Sequence, residues 1–158
     1  MDRFSVLPFR LAGQQLAVPL ENVIRVIPAL KCTPLPGAPQ TVLGLVNLRG
    51  QMVPVIDLAR CFSWPSSPLA LWQPFLWLRS HQRDLLAPVD AVETACECMV
   101  EHLFEADRPQ VPSQRIRGVL RTDEGMLLIQ DVEQLLSDAE EQQLQRALET
   151  VESGDDDA

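Results

Sequence analysis

Between Phe4 and Asp131 the apolar runs are short, and glycine, proline or polar turn residues close nearly every one. Amphipathic helices need roughly 10 residues or more, whereas strands of about 5 suit such runs, so this rhythm predicts a mostly β chain. Phe4 to Leu11 reads as a strand, Ala12-Gly13-Gln14 as a tight turn and Gln15 to Leu20 as the returning strand. Glu21 to Ile27 fits a strand or a short helix, because periodicity cannot decide so short a run. Thr33 to Pro39 holds three prolines and a glycine, which predict a rigid loop. Thr41 to Leu48 and Met52 to Asp57 form a hairpin around Arg49-Gly50-Gln51. Leu58 to Phe62 reads as one helical turn and Ser63 to Pro74 as a Ser/Pro loop. Another hairpin joins Phe75 to Arg79 with Leu85 to Val92 around His81-Gln82-Arg83-Asp84, and Ala95 to Val100 is a further strand. Glu101 to Ser113 reads as a loop, and a last hairpin joins Ile116 to Arg121 with Met126 to Gln130 around Thr122 to Gly125.

The end changes period. Val132, Leu135, Leu136 and Ala139 keep helical spacing, as do Leu144, Ala147, Leu148 and Val151, but the two sets are out of step. Ser137 with Glu140 reads as a capping box between a short helix and a longer one. The stretch from Gly44 to Asp57 also echoes that from Gly118 to Asp131: glycine, apolar strand, polar turn, methionine-led strand, aspartate. The echo points to two similar β lobes, and about nine short strands are best closed, or nearly closed, as barrels.

Composition narrows the function. The chain of 158 residues carries a net charge of −9, which repels nucleic acid and anionic lipid alike. No apolar stretch approaches the roughly 20 residues that span a bilayer, and the first residues lack the pattern of a signal peptide. The expectation is a cytoplasmic protein without membrane insertion, its four cysteines reduced. Residues 1–151 are expected to form one domain and residues 152–158 an acidic disordered tail. Monomer and weak self-association both stay open.

Few residues suggest chemistry. Asp57, Asp90 and Asp131 each follow an apolar strand; a carboxylate there serves better as a cap for the next turn than as an acid or base. Cys96, Cys98 and His102 would supply three ligands of a small zinc site that needs a fourth. Trp64, Trp72 and Trp77 read as core or loop packing rather than a base-stacking platform. No Walker loop, GxGxxG, GxSxG or HExxH pattern is present. Arg49-Gly50 is different: an arginine at a hairpin tip suits a partner carboxylate, although Gly50 alone explains a turn.

Leu35-Pro36-Gly37-Ala38-Pro39, Val42 to Gly50 (VLGLVNLRG) and Val53 to Leu58 (VPVIDL) resemble the core signature of CheW-like domains. Leu86 to Val92 resembles the family's second-lobe strand, and Ile116 to Leu136 its closing hairpin. The resemblance implies two five-stranded β barrels on a shared core with a C-terminal helix, no catalysis and no cofactor. It implies two partners: the regulatory domain of a CheA-type histidine kinase and the cytoplasmic tip of a methyl-accepting chemoreceptor. By position, Arg49, Asn47 and Gly50 match the coupling stretch, and Val23, Ile24, Arg25 and Val26 match a binding-surface segment. Many members carry glutamate at the position of Arg25, so a dedicated, non-chemotactic chemosensory pathway is an alternative home, and a competitor that occupies one site without coupling is another.

Overall fold

The computed structural model describes residues 3–65, 67–99, 103–104, 116–122 and 125–154. The first hairpin pairs β1 (Arg3–Leu11) with β2 (Gln14–Pro19), with Leu11 opposite Gln14. A single 3-10 turn, Leu20–Asn22, leads into β3 (Val23–Ile27), so the ambiguous segment is a strand. The second hairpin is β4 (Val42–Leu48) and β5 (Gln51–Ile56), followed by the one-turn helix α1 (Leu58–Cys61). The third is β6 (Phe75–Arg79) and β7 (Asp84–Pro88).

Here the expected strand Leu85 to Val92 divides. Pro88 lacks the N–H to continue a ladder, and the Asp90 N–H donates instead to Arg10 O at 2.8 Å. The chain then crosses to β1 as β8 (Ala91–Val92) and β9 (Cys96–Met99). Leu103–Phe104, inside the segment read as a loop, forms the short strand β10 against β11 (Ile116–Thr122); the rest of that segment lies outside the described residues. β12 (Gly125–Gln130) completes the last hairpin.

Two sheets result. One has seven strands, ordered β10-β11-β12-β2-β1-β8 with β9 also on β1; the other has five, ordered β3-β6-β7-β5-β4. The mostly β fold of two lobes is therefore as expected; the first sheet has two strands more than the expected five, and β8, β9 and β10 are its short ones. Each lobe joins two hairpins by a parallel contact, β12 to β2 and β5 to β7. The echo in sequence is also an echo in register. Gly44 faces Val55 and Asn47 faces Met52; Gly118 faces Ile129 and Arg121 faces Met126, each hairpin with a bulge just before its glycine. Gly44 is required by close approach: a Cβ there would collide with the Thr33 carbonyl and lie 2.6 Å from Cys32 Sγ. Thr33 crosses that point to exchange backbone hydrogen bonds of 2.8 and 2.7 Å with Leu45.

Strand alternation divides the apolar side chains between clusters. Leu7, Phe9 and Leu11 of β1, Leu16 and Val18 of β2, Leu76 and Leu78 of β6, and Leu85 and Ala87 of β7 meet in one core shared by both lobes. The alternate positions pack within each lobe: Val6, Ala17, Leu120, Leu127 and Ile129 in the first, Val46, Val53, Val55, Phe75 and Leu86 in the second. The expected short helix shrinks to the 3-10 turn Val132–Gln134, after which α2 (Asp138–Gly154) begins. The capping box is complete: Ser137 Oγ accepts from Glu140 N at 3.1 Å and Glu140 Oε1 accepts from Ser137 N at 2.9 Å. α2 buries Leu144 and Ala147 in the shared core, with Leu148 and Val151 against it. It continues to Gly154, through the first three residues of the expected tail, while residues 155–158 lie outside the described chain.

Candidate functional site

The β4–β5 connection is a two-residue turn, since Leu48 pairs directly with Gln51. Such a turn follows strand twist best when both central residues have positive φ, and Arg49 (φ 54) and Gly50 (φ 91) do. Glycine adopts this conformation freely; an arginine in it carries backbone strain of about 1–2 kcal/mol. Asn47 fixes the turn, its Oδ1 accepting from Gly50 N at 2.7 Å. Arg49 is exposed, and no described residue holds its guanidinium. Three residues thus divide the work: Asn47 and Gly50 shape the tip, and Arg49 is what it presents.

A buried carboxylate stands behind the turn. Asp84, read from sequence as a turn residue, opens β7 and is only 7% exposed. Arg79 Nε and Nη2 donate to its two oxygens at 2.8 and 3.2 Å. Trp77 Nε1 adds a bond of 3.0 Å, and Gln51 Nε2, next to the Arg49 turn, adds one of 3.3 Å. The Arg79 guanidinium, helped by Trp77 and Gln51, holds the Asp84 carboxyl below the usual carboxylate range, although burial opposes the shift. The network ties three strands together at the end of the sheet from which Arg49 projects. Its sequence signal was slight: Arg79 and Asp84 are an oppositely charged pair across a predicted hairpin.

The other expected surface lies on β3, the opposite edge of the same sheet. Arg25 and Val26 are exposed, as is Ile24 at the bulge between Val23 and Arg25. Val23 differs: it is half-buried against the shared core and belongs to packing rather than surface. Leu20 and Leu30, which flank β3 in sequence, are exposed as well. The site residues therefore fall into two groups, a cationic tip on one sheet edge and an apolar strand carrying Arg25 on the other.

The remaining candidates resolve into structural roles. Asp57 Oδ1 accepts from Arg60 N at 3.2 Å and Asp131 Oδ1 from Glu133 N at 3.1 Å, both at helical starts. Asp90 accepts from Ala12 N at 3.0 Å and Gln73 Nε2 at 3.2 Å, joining the two lobes. Among the described residues, no three potential ligands converge on a metal position. Cys96 is exposed, whereas His102 and the Cys98 side chain lie outside the described set. Burial pushes the Cys32 thiol up. Trp64 stacks on Phe62 with ring centres 5.0 Å apart and Trp77 is half-buried, but Trp72 is not packed: it stands 68% exposed. Among the described residues no helix is long and apolar enough to cross a membrane.

Comparison with known proteins agrees with this architecture. The CheW protein of Thermotoga maritima is 23% identical over 138 residues, covering 87% of this chain and 91% of its own. Protein FrzA of Myxococcus xanthus is 44% identical over 55 residues, which are 35% of this chain and 34% of that one. The crystal structure of the scaffolding protein TtCheW of Thermoanaerobacter tengcongensis superposes with a TM-score of 0.79 at 20% identity, covering 89% of this chain and 92% of its own. The sequence pattern of the CheW-like domain matches residues 5–140, so the chain belongs to the CheW-like family of non-catalytic scaffold proteins.

Proposed function

We propose that this scaffold is a cytoplasmic adaptor, coupling the tip of a methyl-accepting chemoreceptor to the regulatory domain of a CheA-type histidine kinase. The observation that carries the reading is the Arg49 turn. A strained, exposed arginine braced by Asn47, Gly50 and the Asp84 network is poorly explained as stabilisation and well explained as a preset anchor for a partner carboxylate. The β3 stripe supplies a second surface, so two partners can be held at once. There Ile24 and Val26 give apolar contact, and Arg25 adds a charge that discriminates between partners. Residues 1–151 act as one unit, because the shared core draws on both sheets and α2.

Calorimetric titration of the chain into the kinase regulatory domain from the same organism tests the reading. One-to-one binding is expected, weakened by Arg49→Glu by about 2 kcal/mol or more, as for a hot spot. No saturable binding, or binding indifferent to Arg49→Glu in a folded variant, removes the kinase role. A dedicated, non-chemotactic pathway is the alternative, and it rests on the exposed charge of Arg25 on β3. Arg25→Glu should then shift preference between kinases rather than abolish binding, and equal affinities before and after would dismiss that role.

A further inference from the structure

Arg79 stands at the same end of the five-stranded sheet as the Arg49 turn. The Asp84 carboxylate joins the two, because it accepts both from Arg79 and from Gln51, the residue that closes the turn opposite Leu48. As a stabilising device the Arg79–Asp84 pair is poor. The Arg79 side chain is 63% exposed, so water screens much of its attraction, whereas Asp84 is buried and its carboxylate gives up hydration. An apolar residue at position 84 would close this end of the sheet without that loss. What the pair does achieve is orientation. Asp84 is fixed from two neighbouring strands, by Trp77 and Arg79 on β6 and by Gln51 on β5, and it holds Arg79 through Nε and Nη2. Nη1 of Arg79 has no acceptor among the described residues.

We propose that Arg79 is a second anchor of the Arg49 site, so that the two arginines take two separate carboxylates of one partner. This rests on the adaptor reading above and narrows the partner's chemistry from a single acid to an acidic patch. Only β7 stands between β6 and β5, so the two arginines spring from points about 10 Å apart, or two strand spacings. Two turns of a helix cover about the same distance, so a partner helix with acids on successive turns but one fits the pair. A guanidinium already held by Asp84 loses little freedom on taking a further acceptor, and its planar fork leaves donors for one. The net charge of −9 does not prevent this contact. It acts at long range, where salt screens it beyond about 8 Å, whereas the two guanidinium groups bind in contact. Asp84 is then a positioning residue: it aims Arg79 and, through Gln51, steadies the turn that carries Arg49.

Calorimetric titration of the full chain into the kinase regulatory domain from the same organism tests this with two variants. Arg79→Gln/Asp84→Asn removes the cation without orphaning a buried carboxylate, and it leaves the net charge unchanged because one charge of each sign is lost. Asp84→Asn alone keeps the cation. The double variant should bind about tenfold more weakly than wild type, the loss of one charge-assisted hydrogen bond, and Asp84→Asn should stay within about threefold of wild type. Both should keep the far-UV circular dichroism of the wild type. A pair with a structural role alone would leave the two variants binding alike. Equal affinities for the two variants, with Arg49→Asn still weakening the complex, therefore overturn the second anchor and leave the adaptor reading in place. A wild type without saturable binding removes the adaptor reading, and the second anchor falls with it.

Discussion

Replacing Arg49 with asparagine separates binding from folding more cleanly than any charge reversal. Arg49 sits at φ 54, where an L-residue other than asparagine, aspartate or glycine pays about 1–2 kcal/mol. The guanidinium offsets none of this by a contact with a described residue. Asn-Gly is the pair that two-residue turns of this type prefer, and the Asn47 brace on Gly50 N is untouched by the change. Arg49→Asn should therefore stabilise the chain by about 1 kcal/mol, or roughly 2–4 °C for a domain of this size. Arg49→Gly should gain less, because glycine raises the entropy of the unfolded chain by about 0.5–1 kcal/mol. Arg49→Ala keeps the strain and should leave stability near wild type. All three remove the anchor, so each should weaken the kinase complex by about 2 kcal/mol, some thirtyfold. The assay pairs urea denaturation with calorimetric titration of the same preparations. Loss of stability in Arg49→Asn would show that the arginine braces the fold; a stabler variant with undiminished affinity would show that the strain serves something other than this partner.

Three further changes probe the frame. The Asp84 carboxyl is held below its ordinary value of 3.8, so its stabilisation is full above that value and lost as pH falls through the lower folded value. By urea denaturation at pH 7 wild type should be more stable than Asp84→Asn by about 1 kcal/mol, the exposure of Arg79 weakening the charge-assisted bonds, and the gap should begin to close as pH falls below about 4. A gap that is constant with pH would remove the charge from the explanation. Gly44→Ala drives a methyl into the Thr33 carbonyl and should destabilise by about 2–3 kcal/mol, with early hydrogen exchange at the Thr33 and Leu45 amides as the local readout. Ser137→Ala breaks one arm of the capping box and should lower stability by about 1 kcal/mol while amides in the first turn of α2 exchange faster; unchanged exchange there would place the cap elsewhere.

Much of the fold was legible because turn chemistry is local. Gly13, Arg49-Gly50 and the capping box each signal through neighbours in sequence, and hairpins and helix start fell where those residues stand. Legibility failed where the deciding contact was distant. Nothing in residues 85–92 announces that Asp90 will bond Arg10, so the division into β7 and β8 was invisible. Val23 and Val26 look alike in sequence, yet a bulge at Ile24 and the pairing with β6 send one toward the core and leave the other in water. Asp84 looked like any turn residue until Trp77, Arg79 and Gln51 converged on it. Trp72 was read as core or loop packing rather than base stacking, and exposure of its kind is legible only in three dimensions.

The crossing of strands between lobes bears on how such a chain serves as a scaffold. β3 leaves the first hairpin to edge the second sheet, and β8 and β9 leave the third hairpin to pair with β1 of the first. Each sheet thus borrows an edge from the chain of the other, and the shared core lies between them. Separating the lobes would strip β3 from β6, β8 and β9 from β1, and expose Phe9, Leu16, Leu76 and Leu85 together. Those losses are concerted, so no low-energy hinge runs between the lobes. The Arg49-Gly50 tip and the β3 edge are thereby carried on one frame. A frame that resists opening holds such surfaces at a fixed distance and angle, which suits a scaffold better than a switch.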